Sequence, residues 1–157
     1  MADAVRWAGA TRAAQAAPAR RPSERDVPAP PGAAVGAVRG LLRLEGLLLA
    51  AAALAAYARF GGSWGLFAAV FLLPDLALAG YLAGPRIGAT AYNLAHAMAG
   101  PWTLVAIGVL GGVPLVLSLG LAWAAHVGLD RSLGFGLKYG SGFAHTHLGR
   151  LGRPDPW

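Results

Sequence analysis

The sequence predicts an all-α integral membrane protein, a four-helix bundle with a disordered N-terminal tail and a glycine-rich cytoplasmic segment at its C-terminal end. Three observations carry this expectation. Hydrophobic residues make up 56% of the 157-residue chain and charged residues 13%, whereas soluble domains carry about 25% charged residues. Mean hydropathy is +0.52. The apolar residues gather into four blocks of roughly 17–24 residues, long enough to cross a bilayer as helices. They lack the alternation of barrel strands, and the 23 glycines suit close helix packing.

Residues 1–38 are rich in Ala, Pro and Arg, with PAPP at Pro28–Pro31, and have no apolar run that could serve as a signal-peptide core. Disorder is the expectation there. The first span covers about 41–60 and carries Arg43 and Glu45 at its entrance; Gly61-Gly62-Ser63 then turns the chain. The second, 64–83, has Pro74-Asp75 embedded in it. Pro74 should leave the carbonyl of Val70 without its helical donor and so add an acceptor to that region. Gly84-Pro85-Arg86 breaks the helix. The third span, about 87–110, holds Tyr92, Asn93 and His96, and Gly100-Pro101 predicts a kink near its middle. Gly111-Gly112 leads to the fourth, 113–129. The glycine-rich segment 130–150 and a tail, 151–157, complete a single membrane domain.

Basic residues orient the bundle. Twelve of the 13 Lys and Arg precede span one, separate spans two and three, or follow span four; Arg59 alone lies on the other side. The positive-inside rule therefore puts both termini in the cytoplasm of a multi-pass inner-membrane protein. The lipid bilayer is the expected partner. The formal charge of +6 does not point to nucleic acid, because the basic residues flank apolar spans instead of forming a patch interleaved with aromatics. Small-residue faces, such as Ala79-Gly80 and Ala83-Gly84, suit packing within one chain and a homo-oligomer equally.

Polar side chains within the spans fall in one stratum. At about 1.5 Å of rise per residue, Asp75 lies about 12 Å before the cytoplasmic end of span two, and Asn93 and His96 lie about 8–13 Å into span three. Glu45 is one turn into span one, and His126 and Asp130 end span four. Asp75 needs a partner from another helix, for which His96, His126 and Arg131 are candidates. Imidazole and carboxylate together suit zinc or another divalent ion, and an open position on such an ion lowers the pKa of bound water. Asp75, His96, His126 and Asp130 are thus candidate metal ligands in a metal-dependent hydrolase. Two other outcomes are weighed against that: His–Asp pairs that fix packing without chemistry, and a small-solute or proton-handling protein using Glu45, Asp75 and the histidines. Cysteine is absent, which excludes thiolate nucleophiles, disulfides and cysteine-ligated zinc.

After Asp130, glycines 134, 136, 140 and 142 interleave with Phe135, Tyr139 and Phe143, ahead of His145 and His147. The bland expectation is an interfacial anchor with Lys138 at headgroup level. The favoured one is a chain folding back over the helix ends, bringing Lys138 and His147 over the polar layer as a lid. The set of catalytic candidates is therefore Glu45, Asp75, His96, His126, Asp130, Lys138 and His147.

Five blocks form one pattern: Arg43–Gly46 (RLEG), Pro74–Leu82 (PDLALAGYL), Gly88–His96 (GATAYNLAH), Ala125–Tyr139 (AHVGLDRSLGFGLKY) and Gly142–Gly149 (GFAHTHLG). Across about 38–150 they resemble the bacterial domain of unknown function 4260 family of small four-span membrane proteins. The resemblance implies membrane location and a compact helical bundle, and it implies no activity. It places family motifs on Glu45, Asp75, Asn93, His96, His126, Asp130, Arg131, Lys138, Tyr139 and His147, with His145 outside the pattern.

Overall fold

A computed structural model describes residues 31–152, of which 73% are helical. Helix α1 spans Gly36–Phe60, α2 Trp64–Leu72, α3 Pro85–His96, α4 Ala99–Leu110 and α5 Pro114–Leu133, with a 3-10 helix, Leu73–Ala83, following α2 directly. Two short strands, β1 (His145–Thr146) and β2 (Gly149–Arg150), pair antiparallel. Among the described residues, three helical columns are long and apolar enough to cross a membrane: Gly36–Phe60, Trp64–Ala83 and Pro85–Leu110.

The fourth column, α5, has the length but includes His126, Asp130 and Arg131, and the reason it tolerates them is position. It lies inside, with nine buried residues between Ser118 and Gly128, and packs against α1, α2 and α4. Glycines permit this approach. A Cβ at Gly128 would stand 2.7 Å from the Ala50 nitrogen and 2.9 Å from the Gly46 carbonyl oxygen, and one at Gly120 2.7 Å from the Val105 nitrogen. Around these contacts the core is built of Ala53, Ala124 and Ala125 and, further along, Tyr57, Leu121 and Ala122. Large side chains face outward: Leu47 is 50% exposed, Leu72 62% and Leu82 93%. Small residues inside and leucines outside are the arrangement expected where acyl chains replace water.

Several boundaries differ from expectation. Helix α1 begins at Gly36, not near residue 41, so the end of the expected tail is the helix's first turn; residues 1–30 lie outside the described residues. Just before it, the Ala34 N–H donates to the His147 carbonyl at 2.7 Å. The third column breaks at Ala97, whose backbone is extended (φ −75°, ψ 130°), and not at Gly100-Pro101. The cause is still Pro101, which has no N–H for the carbonyl of Ala97, four residues earlier, and sits harmlessly in the first turn of α4. The break frees the Ala95 carbonyl, which accepts from the Trp123 indole nitrogen of α5 at 2.7 Å. The Val70 carbonyl is likewise not an open acceptor, since the Leu73 N–H donates to it as the helix tightens to 3-10 spacing.

Replacing Gly128 with Val should lower stability by about 1–3 kcal/mol, because the atoms its Cβ meets are backbone and cannot rotate away. Gly40→Ala, whose added Cβ meets nothing within 4 Å, should be neutral or slightly stabilising. Thermal unfolding of the two variants in detergent checks the contrast.

Candidate functional site

Four ionisable side chains converge from three parts of the fold. Asp75 comes from the 3-10 helix, His96 from the last residue of α3, and His126 and Asp130 from successive turns of α5. One ligand atom from each lies within 4.8 Å of all the others. The two Nε2 atoms are 3.2 Å apart. His96 Nε2 is 3.4 Å from Asp130 Oδ2 and 3.7 Å from Asp75 Oδ1, and His126 Nε2 is 3.9 Å and 3.6 Å from the same atoms.

Local structure aims each group. The helix break leaves His96 at a C-terminus, where its Nδ1–H donates to the Tyr92 carbonyl at 2.9 Å. A carbonyl only accepts, so in neutral His96 the Nε2 lone pair faces the cluster. Tyr92 stacks on the His96 ring, with centroids 3.7 Å apart, and its hydroxyl donates to Asp130 Oδ2 at 2.9 Å. His126 is held edge-on to Phe71, and its Nδ1 has no hydrogen-bond partner. Both imidazoles are buried, whereas Asp75 is half-exposed toward a cleft.

That cleft, of about 300 Å³, is lined by Asp75, Leu78, Tyr92, Asp130, Phe135, Lys138 and Phe143. Lys138 reaches it because Gly134 (φ 97°) ends α5 in a left-handed turn: its N–H bonds the Arg131 carbonyl and the Phe135 N–H bonds the Asp130 carbonyl. The returning chain is then bolted to α3 by Asn93. The Asn93 side-chain oxygen accepts from the Lys138 N–H at 2.7 Å, and its amide group donates to the Lys138 carbonyl at 2.9 Å.

Lys138 is 4% exposed, so it is not the headgroup anchor that the segment's composition allows. Burial pushes its ammonium down to about 8, against the opposing pull of the Asp130 carboxylate. His147 does not reach the cluster: its Nδ1 accepts from the Leu137 N–H at 2.8 Å, which pins the segment. Burial, and then the nearby Arg131, lower its pKa, in keeping with the neutral ring that this bond requires. Glu45 is exposed on α1 and is not among the clustered groups. Arg131, a candidate partner for Asp75, instead stands against Gly46 of α1. Among the described residues, the two histidines are the ion-pair partners of Asp75.

Sequence reasoning missed Trp123 as the cap of the broken helix and Tyr92 as the donor to Asp130. Only the presence of polar atoms on apolar helices signalled either. Basic groups mark the same end of the bundle: Arg43 Nε donates to the Ser132 carbonyl at 2.8 Å, and Arg86 approaches Gly140.

Residues 39–151 match a family described as Domain of unknown function (DUF4260). Comparison with curated proteins and with solved structures found no match.

Asn93→Ala should free the segment carrying Lys138 while leaving the helices intact. A spin label at Ser141→Cys, introduced into a chain without native cysteine, should show faster motion in the Asn93→Ala background, with unchanged helical circular dichroism. Identical mobility with and without Asn93 would contradict the bolt.

Proposed function

We propose, for a chain that belongs to the DUF4260 family, a function as a membrane-embedded hydrolase that depends on one divalent metal ion, with Asp75, His96, His126 and Asp130 as ligands. The supporting observation is the mutual approach of four ligand atoms around one point. Zinc held at about 2.0–2.1 Å by two imidazole nitrogens sets them about 3.3 Å apart in a tetrahedral site. The observed separation is 3.2 Å, a distance at which His126 Nε2–H also donates to the His96 Nε2 lone pair when no ion is held.

Charge supports the same reading against a cluster that only fixes packing. Pairwise His–Asp hydrogen bonds would bring each ring nitrogen to about 2.7–3.2 Å from one carboxylate oxygen. Here every His–Asp separation is between 3.4 and 3.9 Å, and each ring faces both carboxylates. As metal ligands the two carboxylates would be ionised and the two imidazoles neutral, so the donor set would carry two negative charges. A divalent cation cancels them. Imidazole with carboxylate, in the absence of thiolate, suits zinc and its transition-metal neighbours.

A bound ion would supply Lewis acidity toward a water taken up as a fifth ligand beside the four side chains, an expansion that zinc allows. The chain's own residues do the rest. Tyr92 orients Asp130 through its hydroxyl and fixes His96 through its carbonyl, the outer-shell role that holds ligands in place. Asp75, the most accessible ligand, borders the cleft through which water and substrate arrive. Hydrolysis then adds the elements of water across the scissile bond, the hydroxyl to the electrophilic centre and the proton to the leaving group. The chain is read as a bacterial inner-membrane protein with both termini cytoplasmic, because the clustered basic residues mark the site's end of the bundle as the inner one.

Full-length protein purified in detergent, loaded with zinc and freed of excess should retain about one ion per chain. His96→Gln or His126→Gln should weaken retention beyond the about 10–100-fold cost of losing an outer-shell partner, and should abolish zinc-dependent cleavage of chromogenic esters. Elemental analysis showing no zinc, or equal zinc in the variants, would overturn the reading.

A further inference from the structure

Lys138 is the only lysine in a chain with 12 arginines, and among the described residues it is the most buried Lys or Arg, at 4% exposed. Its Nζ is buried and has no hydrogen-bond partner. Three rings surround it instead, with centroids 4.3 Å (Phe143), 4.8 Å (Tyr92) and 5.7 Å (Phe135) away. Aromatic faces stabilise an ammonium through their quadrupoles without engaging its N–H donors. Lys138 thus borders the cleft with its three donors unspent, and Asp75 and Asp130 line the same cleft.

A buried ammonium with no hydrogen-bond partner is destabilising. Its environment is also built rather than incidental: both backbone polar groups of Lys138 are held by Asn93, and the residue bridges to Thr146. Such a group suits a ligand that supplies the missing acceptor. With a divalent ion on the four ligands, their charges cancel, and Lys138 leaves the cleft with one net positive charge. The complementary ligand is an anion whose oxygens point in different directions, one toward the cation and another toward the ammonium. Lysine serves phosphate in this way, as a point charge.

We infer that the Lys138 ammonium and the cation held by Asp75, His96, His126 and Asp130 together bind a phosphate ester in the cleft between them, making phosphate esters the substrate class. This rests on the metal reading above and adds to it the group that selects the substrate. The phosphate comes from a soluble ester or from a lipid headgroup, and the chemistry is common to both.

The test uses zinc-loaded full-length protein in maltoside micelles, titrated calorimetrically with inorganic phosphate and, separately, with dioctanoyl phosphatidylglycerol. At least one should bind the wild type and bind Lys138→Met about tenfold or more weakly, as expected for one lost charge-assisted hydrogen bond. The tighter of the two identifies the source. Zinc content should be unchanged in the variant, and its melting temperature no lower, because an unpartnered buried charge has been removed. In the wild type the same ligand should slow acylation of Lys138, read by mass spectrometry at the chain's single lysine, so the answer does not depend on the variant folding. Equal affinities, or acylation that proceeds at the ligand-free rate, with one zinc per chain would overturn the role of Lys138 and leave the metal centre standing. Failure of both proteins to hold zinc would remove the centre and this proposal together.

Discussion

The structure depends on how closely α5 can be surrounded. Gly46 and Gly128 let α1 approach until backbone meets backbone, and Gly108 and Gly120 do the same for α4. Enclosed in this way, α5 need not be apolar enough for lipid, and it can carry His126 and Asp130 one turn apart toward the interior. Were the same helix on the perimeter, those groups would face acyl chains at a cost of several kcal/mol. Close packing and polar chemistry are therefore one design: the small residues create the shielded position, and the shielded position makes the ionisable residues tolerable.

The second requirement is irregular backbone at the right depth. His96 faces the cluster because the third column stops at Ala97, and Asp75 does so from a 3-10 stretch. Backbone of this kind is viable within a bilayer only where protein groups satisfy the freed carbonyls. Trp123 supplies a donor for Ala95, and the contracted helix supplies one for Val70. The same logic extends outside the helices: the Gly134 turn redirects the chain, Asn93 fastens it, and His147 and Thr146 pin the hairpin by local hydrogen bonds. Each irregularity is thus compensated within a few residues of the cluster it serves.

Much of this was legible in the sequence. The second column runs from Trp64 to Ala83, the limits that its flanking Gly-Gly-Ser and Gly-Pro turns imply. The depth of Asp75, His96, His126 and Asp130 follows from a constant helical rise, which is why four separately encoded residues could be placed in one layer before their distances were known. What periodicity could not carry was direction. Asn93 and His96 are three residues apart on α3, yet Asn93 bonds the returning chain at Lys138 and His96 faces the centre. Nor could composition say that Lys138 is enclosed: a Lys among glycines and aromatics at a membrane edge is usually a headgroup contact, and only the fold-back at Gly134 makes it otherwise. Glu45 shared the depth of the cluster but not its face, a distinction that depth alone cannot make.

Two imidazoles and two carboxylates are proposed to share one cation. X-ray absorption at the zinc edge of the loaded full-length protein tests this most directly. The account predicts a first shell of nitrogen and oxygen at about 2.0–2.1 Å, with the outer-shell scattering of two imidazole rings. A shell of oxygen alone, without imidazole scattering, would contradict it.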